Sequence, residues 1–423
     1  MALTMRTMRF AAGVGMALAA GSARADVLFW STQANPVQET QAVRSQVLKG
    51  FSGNVTYQSN DYGPWLTRIT AELSAGKGVI DVLGGLHGDL ASLGGGLVDL
   101  TGLDVGGVRI NPAFMTLGKL GTAQQRYIPW MQATYIMVAN KKALAYLPPK
   151  ADLNALSYDQ LIAWAKTLAE KTGGPKMGFP AGPKGLMPRF LEGYLYPSYT
   201  HSMVSKFRSP EAVTAWTKLR ELWRYTNPAS TGYGFMQEPL LTGEVWIAFD
   251  HTARLAEALN KKPDDFVAFP APAGPDGRGF MPVIAGLAIP KTAPDMAQAK
   301  ALVAYMLRPE TQIATLRATN FFPIIDVKLP SDLPASVRMS AAAITAMTGA
   351  KDALPALLPV GLGDLGGKFN QVFLDSFQRI VLDGQDIKAT LDDEAAMLRA
   401  IMKKSHAPCW APDAASHGAC PVE

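Results

Sequence analysis

Short apolar runs alternate with longer amphipathic ones from the start of the chain's regular pattern. Val27–Trp30, Val55–Tyr57 and Val79–Leu83 are compact runs of β-formers, predicted as strands. Between the first two, Val37, Val43, Val47 and Leu48 recur at helical spacing. Asn35-Pro36-Val37-Gln38 supplies a cap, a first-turn proline and a capping-box glutamine. Between the second and third, Asp61-Tyr62-Gly63-Pro64 opens a helix with Trp65, Ile69 and Leu73 on one face, and Gly76 and Gly78 end it. The β-α-β-α-β order predicts a parallel half-sheet. Ligands bind beyond the carboxyl ends of such strands, so Ser31–Asn35, Ser59–Tyr62 and Gly84–Asp89 are expected along one edge.

The same alternation returns at Gly243–Pro290. Val245–Phe249 and Phe266–Phe269 read as strands around a helix at Thr252–Leu259, which Asp250 is placed to cap. Prolines and glycines from Pro270 to Gly279 break regular structure, and Met281–Ile289 is a further strand ending at Pro290. This unit predicts a second, largely parallel sheet presenting Asp250 and His251 at its edge. Ser157-x-x-Gln160 is a capping box for a helix carrying Leu161, Trp164 and Leu168, and Ser209-Pro210 caps another carrying Val213, Trp216 and Trp223. Asp295–Leu307, Pro309–Ala318, the run from Phe369 to Ile380 and the run from Ile387 to Leu398 read as helices.

The chain has 423 residues, 48% of them hydrophobic, enough for two domains with substantial cores. Residues 1–25 have the form of a secretory leader: Arg6 and Arg9, an apolar Phe10–Gly21 run too short to span a bilayer, and Ala23-Arg24-Ala25 before Asp26. The leader holds three arginines and no acid, so removing it lowers the formal charge from +5 to +2. That balance gives no basic footprint for nucleic acid. Both cysteines, Cys409 and Cys420, lie in the tail, where an oxidising compartment would pair them. His406-x-x-Cys409 and His417-x-x-Cys420 leave a zinc set as the alternative.

Catalytic strings fail on context. Ser74-x-x-Lys77 and Lys171-Thr172-Gly173 lack the Ser-Asp-Asn that would join them. Gly361-x-Gly363-x-x-Gly366 follows Pro355 and Pro359 where a dinucleotide site needs a strand, so it reads as a loop entering a helix. Tyr194, Tyr196, Tyr199 and His201 are expected to pack, with sugar or ferric-iron contact as alternatives. No cofactor or resident metal is called for.

Several segments in order resemble the bacterial extracellular solute-binding proteins of ATP-driven sugar importers, the broad family that includes maltose-binding protein. They are Leu73–Val82, Gly95–Thr101, Ile128-Pro129-Trp130 through Asn140-Lys141, Leu156–Leu161, Trp246–Arg254, Val267–Gly274, Val283–Pro290, Pro309–Gln312 and Asn320–Pro323. The resemblance implies an α/β, two-lobed periplasmic binding protein fold of type II, with a ligand cleft between lobes joined by crossing strands. Lobe one would comprise 26–139 and 283–328, lobe two 140–282 and 329–405, and 406–423 a disulfide-closed tail. It implies a monomer that binds a small solute, a sugar, oligosaccharide or polyol, and hands it to the membrane permease of an ABC importer, without catalysis.

A sugar needs an aromatic platform and planar donors and acceptors. The expected strand ends offer Gln33, Asn60, Asp61, Tyr62, His87, Asp89, Trp130, Gln132, Asp250, His251, Arg254 and Phe321, with Trp130 the favoured platform. Lys184 and Arg189 would suit an anionic solute such as glycerol phosphate. A polyamine ligand and a secreted glycan hydrolase also stay open at this point; the hydrolase needs two carboxylates about 5–9.5 Å apart.

Overall fold

The computed structural model describes residues 26–34, 37–110 and 112–423. The leader-like stretch and the expected cap at Asn35 and Pro36 lie outside the described residues. The strands are β1 (Val27–Ser31), β2 (Val55–Ser59), β3 (Val82–Leu86), β4 (Ile128–Ala133), β5 (Tyr135–Asn140), β6 (Met177–Gly178), β7 (Ile247–His251), β8 (Phe266–Phe269), β9 (Arg278–Phe280), β10 (Val283–Ala288), β11 (Phe322–Pro323) and β12 (Ala353–Pro355). They form two principal sheets, in the orders β11-β4-β10-β3-β1-β2 and β6-β7-β5-β8, each the centre of one α/β lobe.

In lobe one, β1 pairs in parallel with β2 and β3, as the alternating pattern requires. The antiparallel β10 lies between β3 and β4. β3 begins at Val82 rather than Val79, because the Glu72 carboxylate accepts from the backbone of Val79 and Ile80 at 3.0 and 3.2 Å. These amides bind the preceding helix instead of the sheet. Asp81 then ties the sheet down, accepting from the amides of Leu28 and Asp295. Phe29, Tyr57, Trp130 and Leu287 fill one core of this lobe.

The second sheet is mixed, not largely parallel. The expected strand–helix–strand unit exists as β7, the helix Thr252–Lys261 and β8, but β5 lies between the two strands and pairs antiparallel with both. Chain crossing explains the difference. β4 ends in lobe one and, after Thr134, the chain enters lobe two as β5. β4 thus belongs to the first sheet and β5 to the second, with Thr134 between them. The return crossing, Met281–Pro282, precedes β10. The two crossings are tied: the Thr134 hydroxyl donates to the Met281 carbonyl at 3.0 Å, while the Tyr194 hydroxyl donates to the Tyr135 carbonyl at 2.9 Å and accepts from the Tyr135 amide at 3.1 Å. Tyr194 and Tyr196 are fully buried, as expected of packing residues.

The Ser157 box forms with both reciprocal bonds, opening Tyr158–Thr172, and Ser209 caps Pro210–Trp223. The helix Ala335–Thr348, which the sequence pattern does not single out, packs on Thr252–Lys261 and β8. Gly366–Phe377 and Ile387–Ser405 close lobe two. The tail is part of that lobe. Cys409 and Cys420 form a disulfide, and the Asp413 carboxylate accepts from the backbone of Met203 and Val204 at 2.7 and 3.0 Å. No helix among the described residues is long and apolar enough to cross a membrane.

Candidate functional site

Leu86 at the carboxyl end of β3 and Tyr62 beyond the end of β2 line a groove whose opposite wall is lobe two. The residues just past β3 form the short helix His87–Ala91, and its acid Asp89 turns back to the strand end. Its carboxylate accepts from the Leu86 amide at 2.9 Å and from the Thr32 hydroxyl at 2.7 Å. Partial burial raises its pKa, and those two donors oppose the rise. Asp89 lines a compartment of about 480 Å³ together with Tyr62 and Ser92 of lobe one and Arg189 and Asn370 of lobe two. The size suits a small ligand.

Arg189 is half-buried and reaches the groove from the helix Met187–Phe190. Its Nη1 donates to Glu192 Oε2 at 2.6 Å, with the Asn370 side-chain oxygen at 3.5 Å. Glu192 is completely buried, and burial raises its pKa against the pull of Arg189. The guanidinium therefore reaches the compartment with a hydrogen-bonded carboxyl partner in its own lobe. Lys184, paired with Arg189 as a candidate for an anionic solute, is exposed elsewhere, with its carbonyl accepting from Arg254.

The rest of the lobe-two wall is the segment 356–363. The Ala356 amide donates to the Phe280 carbonyl and the Leu357 amide to the Ala411 carbonyl, both at 2.8 Å. Trp410 Nε1 donates to the Val360 carbonyl at 3.1 Å, so the tail braces this wall. Gly361 and Gly363 take left-handed backbone, φ +80° and +54°, turning the segment into Gly366–Phe377. The glycine motif is thus a loop leading into a helix, and it lines the groove.

The sequence candidates divide sharply. Tyr62 stands exposed at the groove with its ring stacked on Trp65, 6.2 Å between centroids. Asn60 is half-buried at the end of β2, and Asp61 is the N-cap residue of Tyr62–Ala75, without a side-chain capping bond. Gln33 is buried; its carbonyl accepts from Tyr57 and Ser59 hydroxyls. Trp130 is not a platform. It is fully buried in lobe one, its ring 5.5 Å from Phe29, because its position on β4 points into the core. His87 is also inside, bonded through Nδ1 to the Tyr127 hydroxyl at 2.7 Å, and burial lowers its pKa to about 4.

Gln132 lies in a neighbouring part of the groove and donates to the Pro323 carbonyl at 2.9 Å. Asp250 is fully buried and accepts from the amides of Met236 and His251. It does not cap the following helix; His251 does, accepting from the Ala253 amide at 3.3 Å. Burial raises Asp250 to about 7. The His251 ring meets Phe321 of lobe one at 5.8 Å, so this pair touches across the lobes. Arg254 lies over Phe235 and donates to the carbonyls of Lys184 and Gly234, bracing lobe two outside the groove compartments described. Strand-end logic does not reach Asn370 or the 358–363 wall. The glycine spacing, which fails as a nucleotide motif, is the local signal there.

The family profile for bacterial extracellular solute-binding proteins matches residues 38–313. No curated protein matches the chain by sequence. Among solved structures, UgpB from Mycobacterium tuberculosis in complex with glycerophosphocholine is 19% identical, aligned over 90% of this chain and 98% of its own, with a TM-score of 0.66. Maltose-bound T. maritima MalE3 is 17% identical over 89% and 100%, TM-score 0.67. The cyclic α-maltosyl-1,6-maltose binding protein from Arthrobacter globiformis is 16% identical over 90% and 99%, TM-score 0.69. At these identities the likeness is one of fold.

Proposed function

The chain belongs to the bacterial extracellular solute-binding protein family, and from that premise we propose that it captures a carbohydrate or polyol between its lobes for an ATP-driven importer. The family binds solutes without transforming them. The observation that carries the reading is that both lobes line one compartment: Asp89 and Ser92 from one side, Arg189 and Asn370 from the other. A carboxylate, a guanidinium, an amide and a hydroxyl are the donors and acceptors that a ring of hydroxyls takes. Because the ligand bridges the lobes, closure about the crossings at Thr134 and Met281 buries it, and the closed form is what a permease recognises. The partner is then the transmembrane permease, and the binding protein works as a monomer. The family acts outside the cytoplasm, and the leader-like residues 1–25 support export to the periplasm with cleavage before Asp26.

An anionic solute is the second reading. It is supported by Arg189 in the compartment and by the glycerophosphocholine complex of a similar fold. The Arg189–Glu192 pair favours the neutral ligand, because the guanidinium already has a hydrogen-bonded carboxyl partner inside lobe two. A thermal-shift panel on residues 26–423 decides: monosaccharides, oligosaccharides, polyols, glycerol phosphates and polyamines. Ligand at ~100 times its dissociation constant adds about 2.7 kcal/mol. Asn370→Ala is expected to weaken binding roughly tenfold, about 1.4 kcal/mol for a lost hydrogen bond. A response only to phosphates or polyamines would overturn the carbohydrate assignment.

A further inference from the structure

The groove has a second compartment of different chemistry. A cavity of about 380 Å³ opens beside the point where the chain leaves β4. Lobe one contributes Phe114 and Leu117 to it; Phe280, Ile344, Met347 and Leu357 come from the opposite side. Several polar groups at its edge are engaged: Gln132 Nε2 donates to the Pro323 carbonyl, the Thr134 hydroxyl to the Met281 carbonyl and the Thr348 hydroxyl to the Ile344 carbonyl. Phe114, Leu117, Ile344 and Leu357 are only partly buried, so an apolar wall is left facing the interlobe space.

One stretch of wall contributes to both compartments. Leu357 lines the apolar one and Leu358 the polar one, and successive Cα atoms stand ~3.8 Å apart. A plain oligosaccharide is a poor match for the apolar part. Most of its hydroxyls would lose water there against a largely apolar lining, which is costly. Phe280 is only 8% exposed, which leaves Phe114 as the partly exposed ring of this lining. An apolar group would instead displace water from apolar wall on both sides, with a gain that grows with the area covered.

We propose that the ligand is an amphipathic glycoside. Its sugar would sit against Asp89, Arg189 and Asn370, and its apolar aglycone, aryl or alkyl, would fill the cavity between Phe114 and Leu357. This rests on the carbohydrate reading above and narrows it.

The test is calorimetric titration of residues 26–423 with matched methyl, phenyl and octyl glycosides of glucose, galactose, mannose and xylose. For the sugar that binds, the phenyl or octyl glycoside should bind at least about tenfold more tightly than the methyl glycoside, with a more negative heat-capacity change. In Phe114→Asn that ratio should fall toward one. Leu357→Asn is a second variant should the first not fold, and circular dichroism establishes which does. Equal affinities for methyl and phenyl glycosides overturn the amphipathic assignment and leave the carbohydrate reading standing. An aglycone preference that survives both substitutions overturns the placement in this cavity. Silence to every glycoside, with a response to glycerol phosphate or a polyamine, overturns both readings.

Discussion

His87 shows what one residue does when tertiary packing takes it out of water. Strand-end logic assigns it to the ligand, yet it is 7% exposed and held by the Tyr127 hydroxyl. Burial disfavours its charged form and lowers its pKa from 6.5 to about 4. The unfolded chain therefore takes up a proton near pH 6.5 that the folded chain refuses until near pH 4. The stability that the neutral imidazole contributes is complete above 6.5 and is lost as pH falls toward 4, about 3 kcal/mol in all. His87→Gln should flatten that part of the stability curve by one proton; denaturant melts between pH 4 and 7 measure the slope, and an unchanged slope would refute the assignment. Asp250 works in the opposite sense. With its pKa raised to about 7, its contribution is present below about pH 4 and is lost as pH rises to 7. Tyr194 is a third case. Its hydroxyl bonds the Tyr135 amide and carbonyl and the Thr134 hydroxyl at the crossing. Tyr194→Phe should cost about 1–3 kcal/mol by leaving buried groups unpaired, read as a lower denaturation midpoint.

Among elements, the tail and the segment it braces have the largest consequence. The disulfide closes a loop with a sequence separation of 11, and the tail inside it bonds Leu357 and Val360 on the groove wall. Replacing Cys409 and Cys420 with serine should cost about 2–3 kcal/mol from restored freedom of the unfolded loop. If the brace matters to the site, ligand affinity should fall as well. A melt measures the first and calorimetry the second, and loss of stability with unaltered affinity would mean the wall holds its shape without the tail. The Ser157 capping box is a local device by contrast. Ser157→Ala should cost about 1 kcal/mol and leave ligand affinity unchanged.

For the whole molecule, the proposed function has one lobe moving against the other about crossings that are themselves bonded together. Thr134–Met281 and Tyr194 fix the crossing strands side by side, so motion is expected as rotation about them rather than separation. Saturating ligand should reduce the radius of gyration in solution scattering, and methyl glycosides should reduce it as phenyl glycosides do if the polar compartment alone drives closure. No change with a bound ligand would argue for a preclosed groove.

Read from sequence alone, the chain yields its two α/β lobes, the parallel order of β1, β2 and β3, the Ser157 and Ser209 caps and the returning strand near Val283. These follow from period, caps and turn residues, which are local properties. The resemblance to the solute-binding family also lay in such segments. What tertiary structure alone decided was direction and neighbourhood. Trp130 lies on the expected strand, but that strand's pleat turns its ring inward against Phe29. Asp250 precedes the expected helix, but the backbone of Met236 claims its carboxylate, and His251 becomes the cap. Arg189, Asn370 and the 358–363 wall come from distant parts of the chain, and Asp89 meets them only across the interlobe space. A periodic pattern records which face of an element is apolar; which residues of two separate lobes confront one another is set by how the chain crosses between them.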